Sequence, residues 1–168
     1  LEHLSKKKVA TDQILGLGVG EIMQLRGVGG TGKTVSMISA ASTAFNNSGE
    51  RSLFLTYNRA LASDLQRLMA ILQIKSDDDG GGIKIDTAMS FFMKLAHSVG
   101  LFDGEGDLEP KLSEYEPMIE LLLSAAEEDD PTFDKCKKDF PLDFSFDRVF
   151  VDEAQDWLLG ESKILKKL

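Results

Sequence analysis

The sequence predicts a three-layer α/β domain with a parallel sheet and a short, mostly helical insertion, and three observations carry that prediction. Short β-type runs alternate with segments of helical period along most of the chain. A glycine-rich stretch, GVGGTGKT (27–34), joins the first such run directly to the first strong helix. A late apolar run, VFV (149–151), ends in two adjacent carboxylates, Asp152 and Glu153.

Taken in chain order, EIMQLR (21–26) reads as a strand that runs into the glycine stretch. In VSMISAASTAF, Val35, Ile38, Ser42 and Phe45 recur at helical spacing. SLFLT (52–56) is a second strand, and the next segment sets Leu61, Leu65, Leu68 and Leu72 on one helical face before an acidic glycine turn. IKID (83–86) is a third strand, followed by a helix from about Ser90 to Val99. The stretch Leu101–Ser145 differs in character. It holds all four prolines, several acidic loops and an amphipathic helix carrying Tyr115, Met118, Ile119 and Leu122, which marks residues 100–145 as the helical insertion. RVFV (148–151) is a continuous run of the kind found in strands covered on both faces.

Bulk properties fit one soluble domain over residues 11–168, since the chain has 168 residues, 42% of them hydrophobic and 28% charged. No apolar run reaches the roughly 18 residues needed to cross a bilayer, and the start lacks a secretory pattern. The single Cys136 cannot form an internal disulfide. A cytoplasmic location is the expectation from these features. Cys136 carries no sign of special chemistry, and His3 and His97 have no metal-ligand spacing around them. The net charge is −9, so any nucleic-acid contact must be local.

Gly27, four residues, then Gly32, Lys33 and Thr34 fit a phosphate-binding loop between a strand and a helix. The glycines let the backbone curl so that successive N–H groups face an anion, and the helix adds its positive end. Lys33 would reach the β and γ phosphates, and the Thr34 hydroxyl would ligate Mg²⁺. Asp152, at the carboxyl edge of a sheet, would hold the same Mg²⁺, and Glu153 could act as general base toward a water. Taken alone, the first stretch is also a glycine-rich turn and the second a strand ending at a solvated acidic turn. Together they point to ATP hydrolysis, because a small-molecule kinase needs no water-activating glutamate here.

At this point the chain resembles the superfamily 1 helicases of the UvrD/Rep type, P-loop motors that move on single-stranded nucleic acid. GVGGTGKT is similar to their Walker A loop, FLTYNRALASDL (54–65) to motif Ia, TAMSF (87–91) to the T-x-x-S-F motif, and VDEAQD (151–156) to the Walker B motif II. Polar residues of motif Ia are shifted by one from the usual pattern, and Met89 stands where a His is frequent. The resemblance implies a RecA-like fold and binding of ATP and Mg²⁺. It implies nucleotide contacts from Gln13, Gly27, Val28, Gly29, Gly30, Thr31, Gly32, Lys33, Thr34 and Gln155, with Gln13 standing where the family reads adenine. It also implies a path for single-stranded DNA, RNA being an alternative, over Thr56, Tyr57, Arg59, Ser90 and Phe91. Tyr57 and Phe91 could stack on bases and Arg59 meet a phosphate, while Phe91 at a helix start is equally the kind of residue that builds a core.

In the family a second motor domain supplies arginines to the transferred phosphoryl group. No counterpart follows Trp157, so the expectation is a first motor domain alone, an excised piece or a truncated product, which binds ATP but turns it over very slowly and unwinds nothing. Residues 92–145 resemble a shortened form of the family's inserted subdomain. The competing readings are another P-loop ATPase or kinase, which does not require DEAQD together with TYNRALA and TAMSF, and a nucleotide-binding regulatory module, with which the acidic surface is compatible.

Overall fold

The fold was analysed in a computed structural model, which describes residues 11–18, 21, 23, 25, 32–79, 82–101, 112–128, 131–153 and 157–168. It is an α/β chain whose described residues form one small sheet of three strands, β1 (Ser52–Thr56), β2 (Ile83–Thr87) and β3 (Arg148–Val151), in the order β2-β1-β3. β1 and β3 are parallel, with Ser52 opposite Arg148 and Leu55 opposite Val151. Helix α1 is described over residues 11–15. The other helices are α2 (Lys33–Ser48), α3 (Arg59–Ile71), α4 (Ala88–Ser98), α5 (Leu112–Glu127), α6 (Pro131–Asp139), α7 (Pro141–Phe144) and α8 (Leu159–Leu165). None of the described helices is long and apolar enough to cross a membrane.

The described residues form two compact units, the first within Leu1–Leu55, Arg59–Ile85 and Phe146–Asp152, the second within Thr56–Asn58, Asp86–Ser145 and Glu153–Leu168. In the first, Ile14, Met37, Ile38, Phe54, Leu65, Met69, Ile83 and Phe150 share one core with Ala40 and Ala41. Phe54 and Phe150, partners in the β1 and β3 register, stack with centroids 5.9 Å apart. Every residue of β1 is buried, as its central position requires. β3 departs from the two-sided cover that its composition suggests: among the described residues it lies at the edge of the sheet, and Val149 is 42% exposed.

Two helix faces also differ from expectation. In α2 the buried stripe is Ser36, Met37, Ile38, Ala40, Ala41 and Ala44, whereas Val35, Ser42 and Phe45 are only half-buried. Small side chains let a helix backbone approach its support closely, so Ala40, Ala41 and Ala44 share this face with Met37 and Ile38. In α3, Leu65 and Met69 are buried, but the helix ends at Ile71 and leaves Leu72 45% exposed. Gln73 adopts φ 57 and the Ile74 N–H donates to Met69 O at 2.9 Å, a C-terminal cap that turns the chain before Leu72 can join the face. Of the strand expected at 21–26, Glu21, Met23 and Leu25 lack regular structure, although Met23 and Leu25 pack on the core; Ile22, Gln24 and Arg26 lie outside the described residues.

Gly82, just before β2, is a close approach: a Cβ there would lie 2.1 Å from Phe45 Cδ2 and 2.8 Å from its Cβ. Gly82→Ala is therefore expected to destabilise the protein by about 1–3 kcal/mol, read from the midpoint of a urea melt.

In the second unit α4 begins at Ala88, two residues earlier than expected, because Thr87 caps it and accepts the Ser90 N–H at 3.2 Å. Phe91 packs edge-on against Phe92 and Phe144, and Phe92 against Trp157. On α5 the expected residues Tyr115, Met118, Ile119 and Leu122 are buried. Cys136 of α6 is buried as well, and burial pushes its thiol pKa up, in keeping with an inert side chain.

Burial, reinforced by its hydrogen bond to Glu161, raises the Tyr115 phenol well above its ordinary pKa of 10.0. A raised folded-state pKa gives a contribution that is complete below the unfolded pKa and declines as the pH rises past it, because only the unfolded chain then ionises. Stability should therefore fall from about pH 10 upward. Tyr115→Phe should remove that part of the slope in urea melts run between roughly pH 8 and pH 11.

Candidate nucleotide-phosphate and metal site

Lys33 and Thr34 open α2 directly after Gly32, whose φ of 84 is a left-handed conformation suited to glycine. Glycine at this N-cap brings no side-chain acceptor to the first-turn N–H groups, and a helix end of this kind favours an anion. Asp152 directly follows β3, and its N–H donates to Leu55 O at 3.0 Å, which continues the ladder onto β1. The two ends meet: the Thr34 hydroxyl donates to Asp152 Oδ2 at 3.1 Å, across 118 positions of sequence. Both residues are half-buried, so their oxygens sit at a boundary that solvent and ligand can reach.

This pair fits one cation. Two adjacent oxygens in an octahedral Mg²⁺ shell lie roughly 2.9 Å apart, from Mg–O distances near 2.0–2.1 Å. A hydroxyl and a carboxylate oxygen at 3.1 Å are hard oxygen donors at a spacing that would suit Mg²⁺. No group of three or more His, Cys, Asp or Glu side chains able to hold a metal occurs among the described residues. A Mg²⁺ that keeps waters and substrate phosphates in its shell requires no such group.

Glu153, next in sequence, is exposed and has φ 53, uncommon for a residue with a side chain. Such backbone strain is concentrated at functional positions. Gly27, Val28, Gly29, Gly30, Thr31 and Gln155 lie outside the described residues. Gln13 is exposed on α1, next to buried Ile14. α1 is held at the opposite end of β3 from Asp152: Arg148 Nη1 donates to Ile14 O at 2.9 Å, while its Nε meets Glu50 Oε2 at 2.5 Å. Four residues of strand, about 13 Å, separate Arg148 from Asp152. The structure joins Thr34 to Asp152.

The residues expected to line a nucleic-acid path divide sharply. Phe91 is 2% exposed, its ring enclosed by Phe92 and Phe144, so it is a core residue and not a base platform. Thr56 is fully buried, and its hydroxyl oxygen accepts the Asn58 N–H at 3.3 Å, a local turn contact. Ser90 is half-buried in the first turn of α4, where its N–H is taken by Thr87. Arg59 is exposed at the start of α3. Tyr57 is half-buried, with its ring edge-on to Trp157 at 5.5 Å and its hydroxyl donating to Glu161.

Sequence reasoning passed over Glu161. It lies in the short segment LLGESK, whose composition gives no sign of a buried carboxyl; only the spacing from Leu158, whose N–H it accepts at 2.8 Å, marks it as a helix-start residue.

No family model matches the chain, and no match was found among curated proteins or solved structures. The functional reading rests on the residues and their geometry.

Proposed function

We propose that this chain is the ATP-binding motor domain of a superfamily 1, UvrD/Rep-like DNA helicase or translocase, a RecA-like P-loop domain. It couples Mg-ATP hydrolysis to movement along single-stranded nucleic acid. The observation that carries the reading is the hydrogen bond from Thr34 to Asp152, which pairs the end of the glycine loop with the end of an apolar strand. In this reading residues 27–32 wrap the phosphates with backbone N–H groups and Lys33 neutralises charge on the β and γ phosphates. Thr34 and Asp152 would hold Mg²⁺, which would offset the phosphate charge. Glu153 accepts a proton from the water that attacks the γ phosphorus, and ADP leaves. The family resemblance would give Gln155 a further contact to the nucleotide. The acidic chain limits its hold on nucleic acid to local groups such as Arg59 and the ring of Tyr57.

The test is single-turnover hydrolysis of ATP by excess protein, with and without oligo(dT), in wild type and Glu153→Gln. The reading expects slow Mg²⁺-dependent hydrolysis that DNA accelerates. It expects Glu153→Gln to retain ATP and hydrolyse it roughly 100-fold or more slowly. Identical rates with and without DNA would instead indicate another class of P-loop ATPase.

A further inference from the structure

Three donors converge on Glu161, which is 0% exposed: the hydroxyls of Tyr57 and Tyr115 and the Leu158 N–H. A carboxyl group excluded from water persists only where its oxygens are hydrogen-bonded, and here two of the three partners are phenols from distant parts of the chain. Tyr115 is itself buried on α5 and serves as a fixed post. Tyr57 is not. It follows the last residue of β1 and is half-buried, and its ring leans edge-on against Trp157. An aromatic ring that offers a face to an unpaired base must not swing about its Cα–Cβ bond, since every rotation it loses on binding weakens the stack. The hydroxyl contact to Glu161 and the T-shaped contact to Trp157 remove that freedom in advance.

We infer that Glu161 is a positioning residue for nucleic-acid binding: anchored by Tyr115 and Leu158, it locks the Tyr57 ring as a stacking platform for an unpaired base. This rests on the nucleic-acid reading proposed above. The ligand chemistry is a single strand recognised by a base face, without sequence preference, because every base offers a π-face.

The experiment compares binding of oligo(dT) with binding of an abasic strand of equal length, which keeps the phosphates but has no base to stack. Trp157, the only Trp, reports through its fluorescence. Wild type should prefer oligo(dT) by roughly tenfold, the scale of one stacked base. Tyr57→Phe keeps the ring and loses only the anchor, and it should lose most of that preference, as should Glu161→Gln, while the abasic strand binds all three proteins alike. Tyr57→Phe also keeps the test decisive if Glu161→Gln does not fold. A preference unchanged in Tyr57→Phe would overturn the inference, and so would equal losses for both strands, since that pattern belongs to a merely structural contact. A wild type that binds both strands equally removes Tyr57 as a platform and the inference with it. A wild type that binds neither strand fails the nucleic-acid reading itself.

Discussion

Lys33→Ala is expected to weaken Mg-ATP binding by about 10- to 100-fold, the scale of one charge-assisted hydrogen bond of roughly 1.5–3 kcal/mol. Lys33 stands at the first position of α2, immediately after the left-handed Gly32, so its ammonium group belongs to the same turn as the Thr34 hydroxyl. In the proposed reading an ammonium group there would act as a point charge on the phosphates. The loss should therefore appear in a titration with ATP. A Lys33→Ala protein that binds Mg-ATP as wild type does would remove the phosphate site from the glycine loop.

Glu161→Ala is expected to be the most damaging substitution for stability, at about 3–5 kcal/mol, comparable with breaking a buried charged contact. The effect does not come from the lost carboxyl alone. Removing it leaves two phenol hydroxyls and the Leu158 N–H without their acceptor, and the buried Tyr115 hydroxyl carries the largest desolvation penalty of the three. It also opens space beside buried Ile164 and Tyr115. Tyr115→Phe removes one donor and leaves the carboxyl with two partners, so it should cost about 1–2 kcal/mol. Urea melts of the two variants test the order: a loss in Tyr115→Phe equal to that in Glu161→Ala would mean that the carboxyl is not the hub of this network.

What the sequence made legible and what it concealed follow from how local each feature is. SLFLT and RVFV are similar short apolar runs, and both are strands. One is buried along its whole length and the other leaves Val149 at an edge, a difference set by which strands flank each run and invisible within either. The T-x-x-S spacing of TAMSF has a local cause, since Thr87 caps the helix at the Ser90 N–H. The same cap sends Phe91 into the core and away from solvent. The leucine face of α3 was legible up to the point where Gln73 took a left-handed conformation that glycine or asparagine more often holds. Thr34 and Asp152 were legible as a pair despite their separation, because each stands at the end of a recognisable local pattern. Glu161 was not, because its meaning depends on Tyr57 and Tyr115, 104 and 46 positions away.

The central claim is that Thr34 and Asp152 share the Mg²⁺ of a bound nucleotide. The most direct measurement is the affinity of the protein for ATP with excess Mg²⁺ and with EDTA, in wild type and in Asp152→Ala. A metal held by this pair predicts that Mg²⁺ tightens ATP binding in wild type, that Asp152→Ala loses most of that gain, and that the two proteins bind ATP alike in EDTA. An equal Mg²⁺ effect in both proteins, or no ATP binding by wild type under either condition, would contradict it.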